Sequence, residues 1–317
     1  MNPRKSITSP AQQVVVSQSG VHQRLDNYLI RMWKGVPRSH IYRLIREGQV
    51  RVNGSRSRVH RKLVTGDIVR LPPIRTALKE PMLVPEEFPA LRERTLYEDD
   101  SLLIIDKPAG VAVHGGSGLR GGVIEALRKE CSPGTYLELV HRLDRDTSGC
   151  LMLAKDPAAL RFLHKSFRDH ISNGIQKRYQ SLLVGNWVHG PRDIDLSLET
   201  VRSTNKSRRS VVTGKGRHAN SRFVPIQHFD EYVLVEIELS TGRMHQIRAH
   251  AAAIGYPVGG DRKYGSRDGN RRLRRVGLKR LFLHAAEVEL IHPQTGQKLT
   301  VKATLPDELT EVLMELS

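Results

Sequence analysis

The residues best equipped for chemistry lie in one short run, His141-Arg142-Leu143-Asp144-Arg145-Asp146-Thr147-Ser148-Gly149. The run holds two acids, two arginines, a histidine and two hydroxyls. Apolar residues bracket it, with Leu137, Leu139 and Val140 before and Cys150 to Ala154 after. A polar loop between two β-like stretches is predicted, and loops held by a rigid sheet are common places for catalysis. One well-placed carboxylate can serve as a nucleophile or as an electrostatic stabiliser. Asp144 and Asp146 also have the spacing of an Asp-x-Asp metal pair, the chemistry of a metal nuclease. The sequence around them offers no further acid cluster, so that alternative is weaker. Ser148 lacks the strand–turn–helix setting of a hydrolase nucleophile.

The composition says what such a loop would act on. Lys and Arg outnumber Asp and Glu by 51 to 33, a formal charge of +18. An excess of that size points to a polyanion, of which nucleic acid is the commonest. Aromatic residues make up only 5%, so contacts to phosphates and shape should outweigh stacking platforms. Cys131 and Cys150 are the only cysteines, which suggests neither a disulfide scaffold nor a zinc site. No apolar stretch approaches the ~20 residues of a membrane helix. The first residues have no apolar core of a secretory signal, so a cytoplasmic location is expected.

Around the loop, the chain divides by pattern into four parts. Residues 1–19 are polar and predicted to be a flexible arm, with an edge strand at Val14 to Val16. Residues 20–75 read as a small basic module. Leu25, Tyr28, Leu29 and Met32 share a helical face. A second helix follows Ser39, with Ile41, Leu44 and Ile45 inward and Gly48 at its end. Val50 and Val52 lead into Asn53-Gly54, a hairpin signal, and a second strand pair is expected over Leu63 to Leu71. Residues 76–94 are proline-rich and read as a linker. Residues 95–317 form a larger α+β domain. In it, Tyr179 opens a strand after Lys177-Arg178, and Val233, Val235, Ile237 and Leu239 alternate as a half-buried strand. A helix carrying Ile247 and Ala251 follows Gly242-Arg243-Met244-His245. Residues 202–222 read as a basic hairpin or loop, and residues 262–280 as a strongly basic loop. His114 to Gly118 is glycine-rich but lacks the Gly-Lys-Ser/Thr ending of a phosphate loop.

Several of these stretches resemble one family in matching order. His-Arg-Leu-Asp-x-x-Thr-Ser-Gly at 141–149, Lys-x-Tyr at 177–179 and Gly-Arg-x-His-Gln-Ile-Arg at 242–248 resemble the motifs of the RluA-type pseudouridine synthases. Lys-Pro-x-Gly at 107–110 and Gly-x-Pro-x-x-Gly-Asp at 255–261 do so too. Arg24-Leu25-Asp26, the second helix and Gly48 to Gly54 resemble an S4 RNA-binding domain. The resemblance implies an α+β protein in which an S4-like αα/β module precedes a mixed, mainly antiparallel sheet with flanking helices. It implies an isomerase that breaks the C1′–N1 bond of uridine and makes a C1′–C5 bond. Nothing is oxidised or added, so no cofactor and no metal is expected.

The resemblance also assigns roles. Asp144 would be the essential acid and Arg248 its cationic partner. An arginine ~4 Å away contributes about 4 kcal/mol of attraction at an effective dielectric of 20. Tyr179 would stack on the uracil. The uridine must first leave its helix, with Arg142 filling the vacated place and His141, Arg243 and His245 beside it. Arg38, Arg43, Arg46 and Arg51 would hold RNA on the S4-like module. Lys34 to Pro37, Ala112 to Gly118 and Leu281 to Ala286 resemble members acting on large-subunit (23S) ribosomal RNA. A monomer with RNA as its partner is expected. The alternatives are a sister enzyme acting on other ribosomal or transfer RNA sites and a non-catalytic S4-type RNA-binding factor.

Overall fold

The structure, a computed structural model, describes residues 6–17, 21–33, 36, 38–77, 90–115, 121–168, 174–202 and 208–317. The chain divides into two compact units, Met1–Leu83 and Val84–Ser317.

In the first unit, helices Leu25–Met32 and Arg38–Arg46 pack their apolar faces together. Leu25, Leu29, Ile41 and Ile45 are buried there with Val50, Val52, Leu63 and Val69. Within the expected flexible arm, Ser6–Ser9 and Gln12–Val15 are strands, the second overlapping the edge strand expected at Val14 to Val16. Gln12–Val15 pairs with Ile68–Leu71, at the edge of a four-stranded sheet. The physical reason is that Ile68–Leu71 needs a ladder partner and that Val16, just beyond the strand, is fully buried. The expected strand pair over Leu63 to Leu71 is reduced to Ile68–Leu71. Asp67 folds back there, accepting hydrogen bonds from the Val64 amide and the Asn53 amide side chain. Of the predicted linker, residues 78–89 lie outside the described residues. So do Lys34, Gly35, Pro37 and residues 116–118.

The second unit is built on a ten-stranded sheet. Its main path runs Arg192–Asp195, Asn220–His228, Tyr232–Leu239, Gln176–Val184, Leu283–Ile291, Ser148–Ala154, Leu102–Lys107, Thr95–Glu98. Neighbours are antiparallel except at the centre, where Ser148–Ala154 runs parallel to Leu283–Ile291. Apolar side chains pack on both faces. Leu103, Ile105, Leu151, Leu153, Val233, Val235 and Ile237 join one core. Leu102, Ile104 and Met152 join a second, and Leu182, Tyr232 and Leu234 a third under helix Asp307–Leu316. The strand predicted to be half-buried is therefore covered on both sides at Tyr232 to Val235.

Of the two basic stretches, the first takes the hairpin form expected of it and the second does not stay a loop. In 202–222, Arg208–Val212 pairs with Leu198–Arg202 as a two-stranded hairpin, with 203–207 outside the described residues. In 262–280, Arg267–Arg275 is a helix rather than a loop. Ser266 caps it by accepting a hydrogen bond from the Gly269 amide. Arginine is a good helix former, but only Leu273 supplies a buried apolar side chain, so no apolar period marked it.

Candidate active site

The run 141–149 crosses from the strand Glu138–Leu139 into Ser148–Ala154, and Asp144 sits on its polar part. Three contacts hold the loop. Leu143 is buried in the main core. Gly149, with φ 106°, lies so close to the neighbouring strand that an added Cβ would stand 2.2 Å from the Ala285 carbonyl oxygen. Only glycine allows that approach, and Gly149 lies in the short parallel pairing, opposite Ala285. The third contact is Lys107, fully buried, whose Nζ donates to the carbonyls of Pro108, Val111 and Arg145 at 2.7, 2.9 and 3.1 Å. Burial pushes this lysine down to about 7, opposed chiefly by the charge of Asp146. The Lys-Pro-x-Gly turn is thus tied to the residue following Asp144.

Across from the loop stands helix Gln246–Ala253. Its entry is fixed by Gln246, buried, whose side chain makes four hydrogen bonds. Its Oε1 accepts from Thr241 Oγ1 and the Arg243 amide, and its Nε2 donates to the Asn220 carbonyl and Ser221 Oγ. His245 caps the helix in the left-handed region, φ 52°. One turn in, Arg248 donates from Nη1 to Asp144 Oδ2 at 3.0 Å.

Arg248 is itself held from behind. Its Nε and Nη2 donate to Asp261 at 2.7 and 2.9 Å, a bidentate fork. Asp261 is buried and also accepts from the Lys263 and Tyr264 amides. Burial opposes its charge, but Arg248 and those amides hold its carboxyl below the usual range. For Arg248 burial likewise works against the charge, yet the bonds to Asp261 and then Asp144 hold it above the ordinary arginine range. Its guanidinium carbon lies 5.1 Å from the centroid of the Tyr264 ring. The Tyr264 hydroxyl meets His245 Nδ1 at 2.9 Å and accepts from the Ser210 amide at 2.7 Å. Gly260, φ 74°, permits the turn before Asp261, since a Cβ there would fall 1.9 Å from the Arg280 carbonyl oxygen.

Asp144, Tyr179 and Arg248 line one cavity of about 310 Å³, within the size range of small-ligand sites. Tyr179 comes from strand Gln176–Val184 and is 7% exposed. Burial, and then the charge of Asp144, raise its hydroxyl well above the usual tyrosine range, so it stays protonated.

Arg142, Arg243, His141 and His245 line the same cavity. Arg142 is exposed, and no carboxylate pairs with it among the described residues. Arg243 lies over the His218 carbonyl, donating from Nε at 3.1 Å. His245 Nε2 is 3.7 Å from Asp144 Oδ2. Burial outweighs that acid and pushes the imidazole below its usual value. His141 is half-buried in the cavity wall. Its Nε2 accepts from the Met152 amide at 3.1 Å, and burial pushes it down to about 3, so it is a neutral wall residue. Asp146 pairs with Arg145 at 2.9 Å. Among the described residues no three metal-ligating side chains come together.

On the first unit Arg38, Arg43 and Arg46 are exposed along the second helix. Arg51 instead folds onto the hairpin, donating to the Gly48 and Gly54 carbonyls, both at 3.3 Å. The residues that sequence reasoning left without a role are Asp261, Tyr264, Gln246 and Lys107. Asp261 and Lys107 stood within motifs, but nothing in their spacing named their partners.

Comparison with known proteins follows the same division. Residues 101–253 match the family described as RNA pseudouridylate synthase, and residues 23–69 match the S4 domain. The chain is 42% identical over 315 residues to ribosomal large subunit pseudouridine synthase C of Haemophilus influenzae, covering 98% of this chain and 97% of that one. It is 41% identical over 317 residues to the protein of the same name from Escherichia coli K12, covering 98% of each. Among solved structures, human RNA pseudouridylate synthase domain containing 4 aligns with a TM-score of 0.58 at 24% identity, over 72% of this chain and 94% of that one. At that identity the likeness is one of fold.

Proposed function

The chain belongs to the RNA pseudouridylate synthase family and is an enzyme of that kind with an S4 domain, and from that premise we propose that it isomerises uridines of large-subunit (23S) ribosomal RNA, in the cytoplasm, with Asp144 as its essential group. The observation that carries the assignment of roles is the cavity shared by Asp144, Tyr179 and Arg248.

The chemistry asks little of the protein beyond placement. The C1′–N1 bond breaks, the freed uracil turns, and C5 bonds to C1′. C5 gives up its proton and N1 ends with one, so the product is an isomer and no cofactor is consumed. Asp144 supplies the one carboxylate at the reacting sugar and base. Arg248, fastened by Asp261, holds that carboxylate in a fixed orientation, the preorganisation that favours a charged transition state. Tyr179, kept protonated by burial, offers its ring face to the uracil and its hydroxyl as a hydrogen-bond donor. A cavity of about 310 Å³ takes one nucleoside rather than a stacked strand, so the uridine must be extruded, at a cost of a few kcal/mol. Arg142, exposed on the same loop, is placed to occupy the gap left behind. The relatives' names support large-subunit RNA as the substrate, as does the charge of +18. The test is to map pseudouridine across ribosomal RNA from cells with and without this gene. Loss of specific 23S pseudouridines, restored by the gene but not by an Asp144→Ala copy, is expected. An unchanged 23S map would refute the substrate.

A further inference from the structure

Lys177 precedes Tyr179 by two positions on strand Gln176–Val184 and has been given no task so far. It lines the Asp144 cavity and also a second cavity of about 480 Å³. Phe167, Leu239 and Gly242 line both as well, so the two spaces share a wall with Lys177 in it. The ammonium lies 5.1 Å from the centroid of the Phe167 ring. A Cβ added to Gly242 would stand 3.6 Å from it, so the glycine leaves that side open.

What sets Lys177 apart is that no counter-charge meets it among the described residues. The described acids lining the two cavities are already taken: Asp144 by Arg248, Glu238 by Arg178, and Glu289 by Lys298 at 2.8 Å. His141 and His245 are held below their usual values by burial. Arg142 and Arg243 add only positive charge. Among the described residues no carboxylate bonds to Lys177. Burial alone pushes it down to about 8, with no acid opposing the shift. A half-buried cation without a partner is costly to a folded chain, and a perturbed titratable group in a cleft is a functional-site candidate.

The group that would complete it is an anion arriving with the substrate. A uridine extruded into the smaller cavity stays joined to its strand by phosphodiesters on either side, and these must pass the cavity wall. We propose that Lys177 holds a backbone phosphate adjoining the target uridine, with the second cavity receiving the neighbouring stretch of strand. This rests on the reading of the Asp144 cavity as the uridine site. Lysine serves phosphate as a compact point charge, and Phe167 gives the ammonium a second, weaker contact that leaves it free to face the strand.

The experiment uses the full-length enzyme and an in vitro transcript of 23S RNA, following pseudouridine formation for wild type, Lys177→Met and Lys177→Arg. Lys177→Met should lower kcat/KM by about 10- to 100-fold, mainly through KM, as expected for one lost charge-assisted bond. The slope of log affinity on log salt should fall by roughly 0.7, one phosphate of a single strand. Lys177→Arg should keep most of the activity. Because the free lysine must be protonated to bind, wild-type kcat/KM should fall as pH rises through about 8, and this break should vanish in both variants. Lys177→Met should also melt no lower than wild type, because it removes a half-buried charge that no described residue pairs. A lysine that merely supports the fold would instead lower the melting temperature and leave the pH break and the salt slope as they were. That result, or a Lys177→Met enzyme with wild-type KM, would overturn the proposal. A wild-type enzyme that leaves this transcript unmodified would overturn the underlying reading, and the proposal with it.

Discussion

The two units of this protein use arginine in opposite ways. In the larger unit Arg248 is buried, forked onto Asp261 and aimed at Asp144. In the smaller unit Arg38, Arg43 and Arg46 lie exposed along one helix, and among the described residues the one ion pair they make, Arg43 with Glu47, is loose at 3.9 Å. The first arrangement spends its charge inside the protein to orient a single carboxylate. The second leaves its charge for an outside partner. The difference teaches that the +18 of the chain is not one property. Buried, forked arginine is a positioning device whose value lies in geometry. Exposed arginine acts through a field that salt screens.

This contrast can be broken most severely at Arg248. Arg248→Ala leaves Asp261 buried without its partner, a loss of about 3–5 kcal/mol for a broken buried pair. We expect a clear drop in melting temperature and a fall in kcat of about 10²–10³-fold, the scale for losing one preorganised donor. Arg248→Lys keeps the charge but not the fork, and should recover stability better than activity. If lysine restored full kcat, charge rather than orientation would be the requirement. The opposite end of the comparison should yield a smaller effect. Replacing Arg38, Arg43 and Arg46 together by Gln should weaken RNA binding on the order of tenfold at moderate salt and flatten the salt dependence, while kcat at saturating RNA changes by less than about twofold. A comparable loss of kcat from this triple variant would erase the distinction between the two regions.

How much of this was legible in the sequence follows from the same physics. The loop at Asp144 was legible because its chemistry is contiguous, and the strands beside it because runs such as Cys150 to Ala154 are wholly apolar. Arg248 was legible as a residue of a motif. Its fork onto Asp261 was not, since an ion pair between residues thirteen apart in the chain leaves no period to read. Tyr264 was hidden for the same reason: its contacts run to Ser210 on one strand and to His245 and Arg248 on one helix and its cap. Ser6–Ser9 was missed, and the expected edge strand at Val14 to Val16 was placed two residues late, because Gln12 and Gln13 read as polar coil. Only the strands they pair with explain them, Ile74–Ala77 for Ser6–Ser9 and Ile68–Leu71 for Gln12–Val15.

The role of Asp144 is tested most directly by single-turnover pseudouridine formation by Asp144→Asn, measured alongside its affinity for the same RNA. The substitution keeps the size of the side chain and an oxygen for Arg248 but removes the charge. The expected result is no detectable product with RNA affinity within roughly tenfold of wild type, because phosphate contacts dominate binding. Product formed at the wild-type rate would contradict it.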